Sequence, residues 1–152
     1  MAVRILQLTD LHLCSERDGR VHGVPTRDTL RDVLHHVELH EHSCEQLVIT
    51  GDLADDGDVA TYQHLRELLA ERLPRCRVVP GNQDNRERIR EVFPEIVPGG
   101  DGPLTFSSSA GDWQLIGLDT LVPGEEEGRI SPEQLAADRG YIVMGGHVLV
   151  PR

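Results

Sequence analysis

The sequence predicts an α/β fold, in which short buried strands alternate with helices. Three apolar runs have the pattern of buried strands, and a polar motif follows each of them directly. Because the carboxyl ends of neighbouring strands in an open α/β sheet border one crevice, we expect these polar side chains to meet there. The runs are 3–8, 46–50 and 76–80, and the motifs are Asp10-Leu11-His12, Gly51-Asp52 and Gly81-Asn82.

The segments between and after these strands carry helix and hairpin signals. Thr26 is expected to cap a first helix, a second follows Asp58, and a shorter third covers 86–93. Two further strands, 104–108 and 113–118, are predicted to form a hairpin of a second sheet, and a capping box begins another helix at Ser131-Pro132-Glu133-Gln134. The apolar positions of the first two helices are Leu30, Val33, Leu34 and Val37, then Tyr62, Leu65, Leu69 and Leu73.

The polar motifs contain the donors that hold divalent metals. Oxygen ligands with one imidazole favour Mn, Fe or Zn over a metal that prefers thiolates. Asp52 is placed to bridge two ions, and such a pair would activate a water for phosphoryl displacement. The alternative is three ordinary turns after strands, because each motif is common by itself and only their order is informative.

In that order the motifs resemble those of calcineurin-like metallophosphoesterases. The resemblance runs from about residue 3 to residue 136 and is greatest to bacterial class III cyclic nucleotide phosphodiesterases. It implies a four-layer α/β/β/α sandwich, two divalent metal ions, and hydrolysis of a 3′,5′-cyclic nucleotide such as cyclic AMP. The segments that carry it are Leu8-Thr-Asp-Leu-His12, Thr50-Gly-Asp-Leu53, Pro80-Gly-Asn-Gln-Asp84, Leu118-Asp119-Thr120, Gly128-Arg129-Ile130 and Glu133-Gln134-Leu135.

The resemblance also implies roles by matching position. Asp10 and His12 would hold the first metal, Asp52 would bridge, and Asn82 would hold the second metal and contact the substrate. Gln83 stands where the family has a His that contacts the phosphate and assists the leaving group. Glutamine can donate a hydrogen bond but cannot exchange a proton near neutral pH, so the leaving-group step is expected to be impaired.

Further family ligands are missing or displaced. No histidine lies between His64 and His147, where the family places a mid-chain ligand. Gly146-His147 resembles a remnant of the terminal Gly-His-x-His motif, with Leu149 in the final His position, or matches it by chance. His147 is therefore an additional candidate metal ligand.

The length of 152 residues predicts one domain, which is a partial one by comparison with the implied sandwich. A half-sandwich would leave an apolar sheet face uncovered, so either a marginally stable protein or a homo-oligomer is expected. The absence of a bilayer-length apolar run and of an amino-terminal signal favours the cytoplasm.

Composition narrows the partners. A net charge of -11, from 26 acidic and 15 basic residues, argues against nucleic acid and anionic membranes but not against a small anion at a metal site. Three widely spaced cysteines indicate reduced thiols, and Cys14 is expected to be a passive thiol. His36 and His40 stand one helical turn apart and are expected on a solvated helix face rather than in a second metal site.

Two classes of function follow from the sequence. The first is a metal-dependent phosphodiesterase, favoured by four ligand-type residues in the family's order. The second is a catalytically impaired remnant that binds metal, nucleotide or a partner, favoured by Gln83 and by the missing histidines.

Overall fold

The structure is a computed structural model and describes residues 3–40, 44–137 and 142–143. Strands and helices alternate through the first 92 residues, and a hairpin and a short helix follow. In chain order, the elements are β1 (Ile5–Thr9), α1 (Thr26–His40), β2 (Gln46–Thr50), α2 (Val59–Leu69), β3 (Cys76–Val78), α3 (Arg86–Val92), β4 (Phe106–Ala110), β5 (Trp113–Gly117), α4 (Pro132–Ala137) and β6 (Ile142–Val143), with a 3-10 turn at Leu73–Arg75.

The first sheet has the order β1-β2-β3, and both of its pairings are parallel. Every residue of the central strand β2 is buried, as its buried-strand pattern predicts. The three predicted strands therefore lie side by side and end at the same edge. This arrangement confirms the expected convergence of the three polar motifs on one side of the molecule.

The prediction of a buried first strand is wrong for β1. None of its five residues is buried, and Ile5 is 37% exposed. In the described part of the chain, β1 has one neighbouring strand, β2, and is an edge strand. Its residues Leu6 and Leu8 pack against the main hydrophobic core. An apolar run alone does not distinguish an edge strand from a central one.

The first two helices cover the sheet with much of the predicted apolar stripe. Leu30 and Leu34 of α1 are buried, whereas Val33 is 38% exposed. The prediction that Thr26 caps α1 is wrong, because Thr26 is itself the first helical residue and its hydroxyl donates to the carbonyl oxygen of His12 at 2.9 Å. α2 begins directly after Asp58, as predicted, and the Asp58 side chain caps it by accepting from Ala60 N.

The second sheet packs on the opposite face of the first. β4 and β5 form the predicted antiparallel hairpin, and β6 adds to β5 in parallel. The Gln46 side chain crosses between the sheets, accepting from the Ser108 hydroxyl at 2.7 Å and donating to the Ser109 carbonyl at 2.8 Å. Helices, first sheet and second sheet are thus successive layers, which confirms the predicted α/β sandwich architecture. Val48, Ala110 and Leu115 form the apolar contact between the sheets.

The segment after β5 is anchored by the buried carboxylate of Asp119. Arg86 of α3 donates to it twice, at 2.6 and 2.8 Å, and Leu104 N and Leu121 N donate to its two oxygens. The Gln134 side chain of α4 donates to the Asp119 carbonyl at 3.0 Å. This node joins α3, the end of β5 and α4, so the loop between β5 and α4 is held beside the site edge of the first sheet.

The carboxyl-terminal predictions are tested only in part. The capping box of α4 is confirmed, because Ser131 and Gln134 exchange hydrogen bonds of 3.1 and 3.2 Å. Near the carboxyl terminus Ile142–Val143 is a strand, whereas the candidate ligand His147 lies outside the described residues. No helix in the described ranges combines the length and apolarity needed to cross a membrane.

Candidate metal centre

Three of the predicted ligands meet at the carboxyl ends of β1 and β2. Asp10, His12 and Asp52 each offer a donor atom, and these atoms lie within 4.8 Å of one another. Among the described residues this is the only such group of His, Cys, Asp and Glu side chains. Two carboxylates and one imidazole suit a hard or borderline divalent ion, so the residues present fit the metal that the sequence predicts.

The backbone beyond the two strands fixes the spacing of these ligands. The loops that follow β1 and β2 stay hydrogen-bonded to one another, so they extend the pairing of the sheet past the last strand residues. The ligands are therefore placed by main-chain bonds as well as by their side chains. The bonds run from Asp10 N to Thr50 O (3.0 Å), His12 N to Asp52 O (3.0 Å), Leu13 N to Leu53 O (3.1 Å) and Asp55 N to Leu13 O (2.8 Å).

Two ligands have a strained backbone. Asp10 has φ 53° and His12 has φ 44°, in the left-handed region that side-chain-bearing residues rarely occupy. Such residues cost on the order of 1–3 kcal/mol each and persist only where their surroundings hold them in place. Their concentration in one short motif indicates a local geometry maintained for a site rather than for the core.

Glycine precedes Asp52 and Asn82 because no Cβ fits there. Gly51 has φ 73°, and a Cβ on it would lie 2.5 Å from Asp10 Oδ1. A Cβ on Gly81 would lie 2.5 Å from Asp52 N. The two glycines therefore let three chain segments approach closely enough for their polar side chains to share one site.

The loop after β3 brings Asn82 and Gln83 to the same place. The backbone N–H of Gln83 donates to Asp52 Oδ1 at 2.9 Å, and Asn82 lines a cleft that Asp10 and Asp52 also line. Both side chains are exposed. Asp10, His12, Asp52, Asn82 and Gln83 are thus all at one sheet edge, as predicted.

Sequence reasoning missed Asp55, which contacts one of the ligands. Its Oδ1 lies 2.9 Å from His12 Nδ1, while His12 Nε2 lies 3.6 Å from Asp52 Oδ2. Nothing in the spacing of Asp55 from His12 signals a contact across 43 positions.

Asp84 was also missed, although it ends a motif that the resemblance uses. It is 8% exposed and accepts four hydrogen bonds, from Leu53 N, Ala54 N, Gly81 N and the Tyr62 hydroxyl, at 2.9–3.0 Å. Burial raises the pKa of Asp84 to about 6, against the opposing effect of these donors. The carboxylate ties the loop that carries Asp52 to the loop that carries Asn82.

We expect Asp84→Asn to lower the free energy of unfolding by about 2–3 kcal/mol at pH 8, where Asp84 is ionised. An amide has one acceptor oxygen, so at least one backbone N–H that now faces a carboxylate oxygen would lose its partner. Urea unfolding followed by circular dichroism measures the loss. Asp58→Asn is the matched control, because asparagine caps a helix as well as aspartate does, and its stability should change by less than about 0.5 kcal/mol. Equal losses in the two variants would contradict this account.

Two other groups of possible metal ligands, the cysteines and the pair His36 and His40, lie outside the centre. Cys14, Cys44 and Cys76 are free thiols, and burial together with Asp56 raises the pKa of Cys14, which disfavours the metal-binding thiolate. The rings of His36 and His40 lie 4.3 Å apart on an exposed face of α1. Both residues are exposed, which confirms the solvated-face prediction.

The centre opens into a cleft of about 550 Å³. One wall consists of the ligand loops, and the other consists of α4 together with the segment between β5 and α4 that Asp119 anchors. That second wall combines apolar side chains with two acidic ones. Its members include Leu121, Val122, Glu126, Glu127, Ile130 and Leu135.

The fold and this edge of the sheet define the class of protein. Residues 3–149 match the family model of the calcineurin-like phosphoesterases. The chain belongs to this family, whose members use divalent metals, in agreement with the Asp10, His12 and Asp52 group.

Individual relatives carry more specific names. The chain is 35% identical over 133 residues to the 3′,5′-cyclic adenosine monophosphate phosphodiesterase CpdA of Escherichia coli (strain K12), covering 88% of this chain and 47% of that protein. It is 29% identical to CpdA of Pseudomonas aeruginosa, covering 95% and 52%. It is 35% identical to a cAMP/cGMP dual specificity phosphodiesterase of Mycobacterium tuberculosis, covering 86% and 42%. The chain thus spans about half the length of the curated relatives that it matches.

Proposed function

We propose that this chain is the metal-binding part of a phosphodiesterase that hydrolyses a 3′,5′-cyclic nucleotide such as cyclic AMP. The observation that carries the proposal is the group of Asp10, His12 and Asp52, whose donor atoms lie within 4.8 Å of one another beside Asn82. The names of the relatives supply the substrate class. The arrangement of the side chains supports the choice of site residues.

The ligand roles are those that the resemblance implies, and the proximity of Asp10, His12 and Asp52 supports them. Asp10 and His12 would hold one divalent ion, Asn82 would hold a second, and Asp52 would contribute to both, with Mn, Fe or Zn as the metals that suit these donors. When bound, such ions polarise phosphoryl oxygens and lower the pKa of a bound water. Because the chain carries a net charge of -11, the bound cations are what make the site attractive to an anionic substrate.

The residues around the ions position the substrate. The Asn82 amide reaches the cleft and can donate a hydrogen bond to a phosphate oxygen. The apolar side chains of the opposite wall, Leu121, Ile130 and Leu135, offer a surface for the nucleoside. In hydrolysis the water oxygen would bond to phosphorus and release a proton, the ester P–O bond would break, and the leaving oxygen would gain a proton. Gln83 cannot supply the proton that the leaving oxygen needs.

A second candidate function is binding without turnover. Gln83 in place of the family's His favours it, as does the lack of any histidine from residue 65 to residue 146. In this case the chain would hold metal and a cyclic nucleotide in the same cleft without cleaving the ester bond.

Metal content and hydrolysis of the same preparation distinguish these functions. We expect two Mn ions per chain by elemental analysis, and hydrolysis of cyclic AMP and of bis(p-nitrophenyl) phosphate that a chelator abolishes and added Mn restores. Metal with nucleotide binding but no hydrolysis of either ester would support the second function. Less than one metal per chain and no hydrolysis would overturn the phosphodiesterase proposal.

A further inference from the structure

We propose that Asp55 is a positioning residue, which fixes the proton of His12 on Nδ1 and so presents the Nε2 lone pair to a metal. The proposal rests on the proposed function in one respect, that His12 is a metal ligand. It assigns to Asp55 a role that the metal-ligand motif itself does not contain.

The two ring nitrogens of His12 face different carboxylates at different distances. Nδ1 lies 2.9 Å from Asp55 Oδ1, which is a hydrogen bond, whereas Nε2 lies 3.6 Å from Asp52 Oδ2, which is too long for one. A carboxylate can only accept, so Nδ1 must donate to Asp55. A neutral imidazole has one N–H, and Nε2 is therefore left with its lone pair directed to the side of Asp52.

The backbone holds Asp55 in this position. Its N–H donates to the Leu13 carbonyl at 2.8 Å, directly after the segment that contains His12. On the other side of the same segment, the Thr26 hydroxyl donates to the His12 carbonyl at 2.9 Å. The imidazole and its carboxylate partner are thus attached to two chain segments that are themselves hydrogen-bonded, which keeps the acceptor beside Nδ1.

Partial exposure sets the size of the effect. The side chains of His12 and Asp55 are 33% and 42% exposed, so water can partly replace the carboxylate. Hydrogen-bond partners of metal-binding histidines typically change metal affinity by about 10–100-fold. For this half-exposed pair we expect the lower end of that range, about 10-fold.

The first test measures the tautomer of His12 in metal-free protein. At pH 8.5, about two units above the ordinary imidazole pKa, long-range ¹H–¹⁵N spectra distinguish a protonated Nδ1 from a protonated Nε2. The His12 signal is assigned by its loss in His12→Gln. We expect the Nδ1–H tautomer in the unmodified chain and a shift toward Nε2–H in Asp55→Ala. An Nε2–H tautomer in the unmodified chain would overturn the proposal, whether or not the protein hydrolyses any ester.

The second test measures Mn²⁺ affinity by titration calorimetry. Asp55→Ala should bind Mn²⁺ about 10-fold more weakly, and Asp55→Asn should regain much of that loss, because its amide oxygen still accepts from Nδ1. Asp58→Asn removes one negative charge from the same loop without contacting His12, and it should bind as the unmodified chain does. Affinity unchanged in Asp55→Ala, or lowered equally in Asp58→Asn, would contradict the positioning role.

The two tests separate this proposal from the proposed function. If the unmodified chain has the Nδ1–H tautomer and binds Mn²⁺ but hydrolyses nothing, the role of Asp55 stands and the phosphodiesterase activity does not. If hydrolysis is present and His12 carries its proton on Nε2, the activity stands and the role of Asp55 fails.

Discussion

Gln83→His is expected to raise the rate of cyclic AMP hydrolysis by about 100-fold or more, since general acid catalysis is typically worth about 10²–10⁴-fold. The leaving group of a cyclic nucleotide is an alkoxide, which departs readily only when a proton reaches it. Histidine can deliver that proton near neutral pH, and glutamine cannot. The backbone N–H of residue 83 is already held by Asp52 Oδ1 at 2.9 Å, so the new side chain would begin from a fixed point beside the centre.

Leaving-group dependence is the measurement that tests this explanation. A nitrophenolate leaves without a proton, so bis(p-nitrophenyl) phosphate should gain much less than cyclic AMP does. The gain should also disappear as pH rises through the titration of the imidazole, because only the protonated form is an acid. Gln83→Asn is the matched control and should gain on neither ester. An equal gain on both esters in Gln83→His would show that histidine improves binding or folding rather than proton transfer.

Much of the scaffold was predictable because local chemistry determines it. β2 has three consecutive apolar residues at its centre, and it is buried along its whole length. The capping box of α4 was predicted from four residues and forms as expected. β1 was judged wrongly because burial of a strand depends on its neighbours in the sheet, which its own residues do not encode.

The predicted ligand residues of the candidate site also follow from the sequence. The ligand residues lie only a few positions after the ends of the strands, so their convergence follows from the parallel sheet. The residues that hydrogen-bond to these ligands cannot be predicted from the strand ends. Asp55 reaches His12 only because the two loops continue to pair beyond the strands, and this pairing is a tertiary feature.

The strained backbone of Asp10 and His12 could not be predicted either. Aspartate and histidine are found in the left-handed region more often than most residues, but the sequence does not say that these two are. Thr26 gives a similar lesson. It was expected to precede α1 as its cap, but the helix already includes it, and its hydroxyl donates to the His12 carbonyl of another chain segment.

Asp52→Asn should reduce the Mn content of the protein and lower phosphodiester hydrolysis by about 10²–10³-fold, since metal activation is worth several kcal/mol and each 1.4 kcal/mol is a factor of ten. The substitution keeps the shape of the side chain. Its amide oxygen can still accept from Gln83 N, which turns the NH₂ group to the side where Oδ2 now faces His12 Nε2 at 3.6 Å. A carboxylate oxygen that could bind a cation is thereby exchanged for a hydrogen-bond donor.

Because the hydrogen bond from Gln83 N to residue 52 is kept, Asp52→Asn should lose metal binding and hydrolysis but not stability. Circular dichroism and urea unfolding of metal-free Asp52→Asn should match those of the metal-free unmodified chain within about 1 kcal/mol. Asp101→Asn, which removes an exposed carboxylate from the loop before β4, is the charge control and should keep full metal content and activity. Full metal content and activity in Asp52→Asn would exclude Asp52 from the centre, and the other ligands would then have to bind metal without a carboxylate between them.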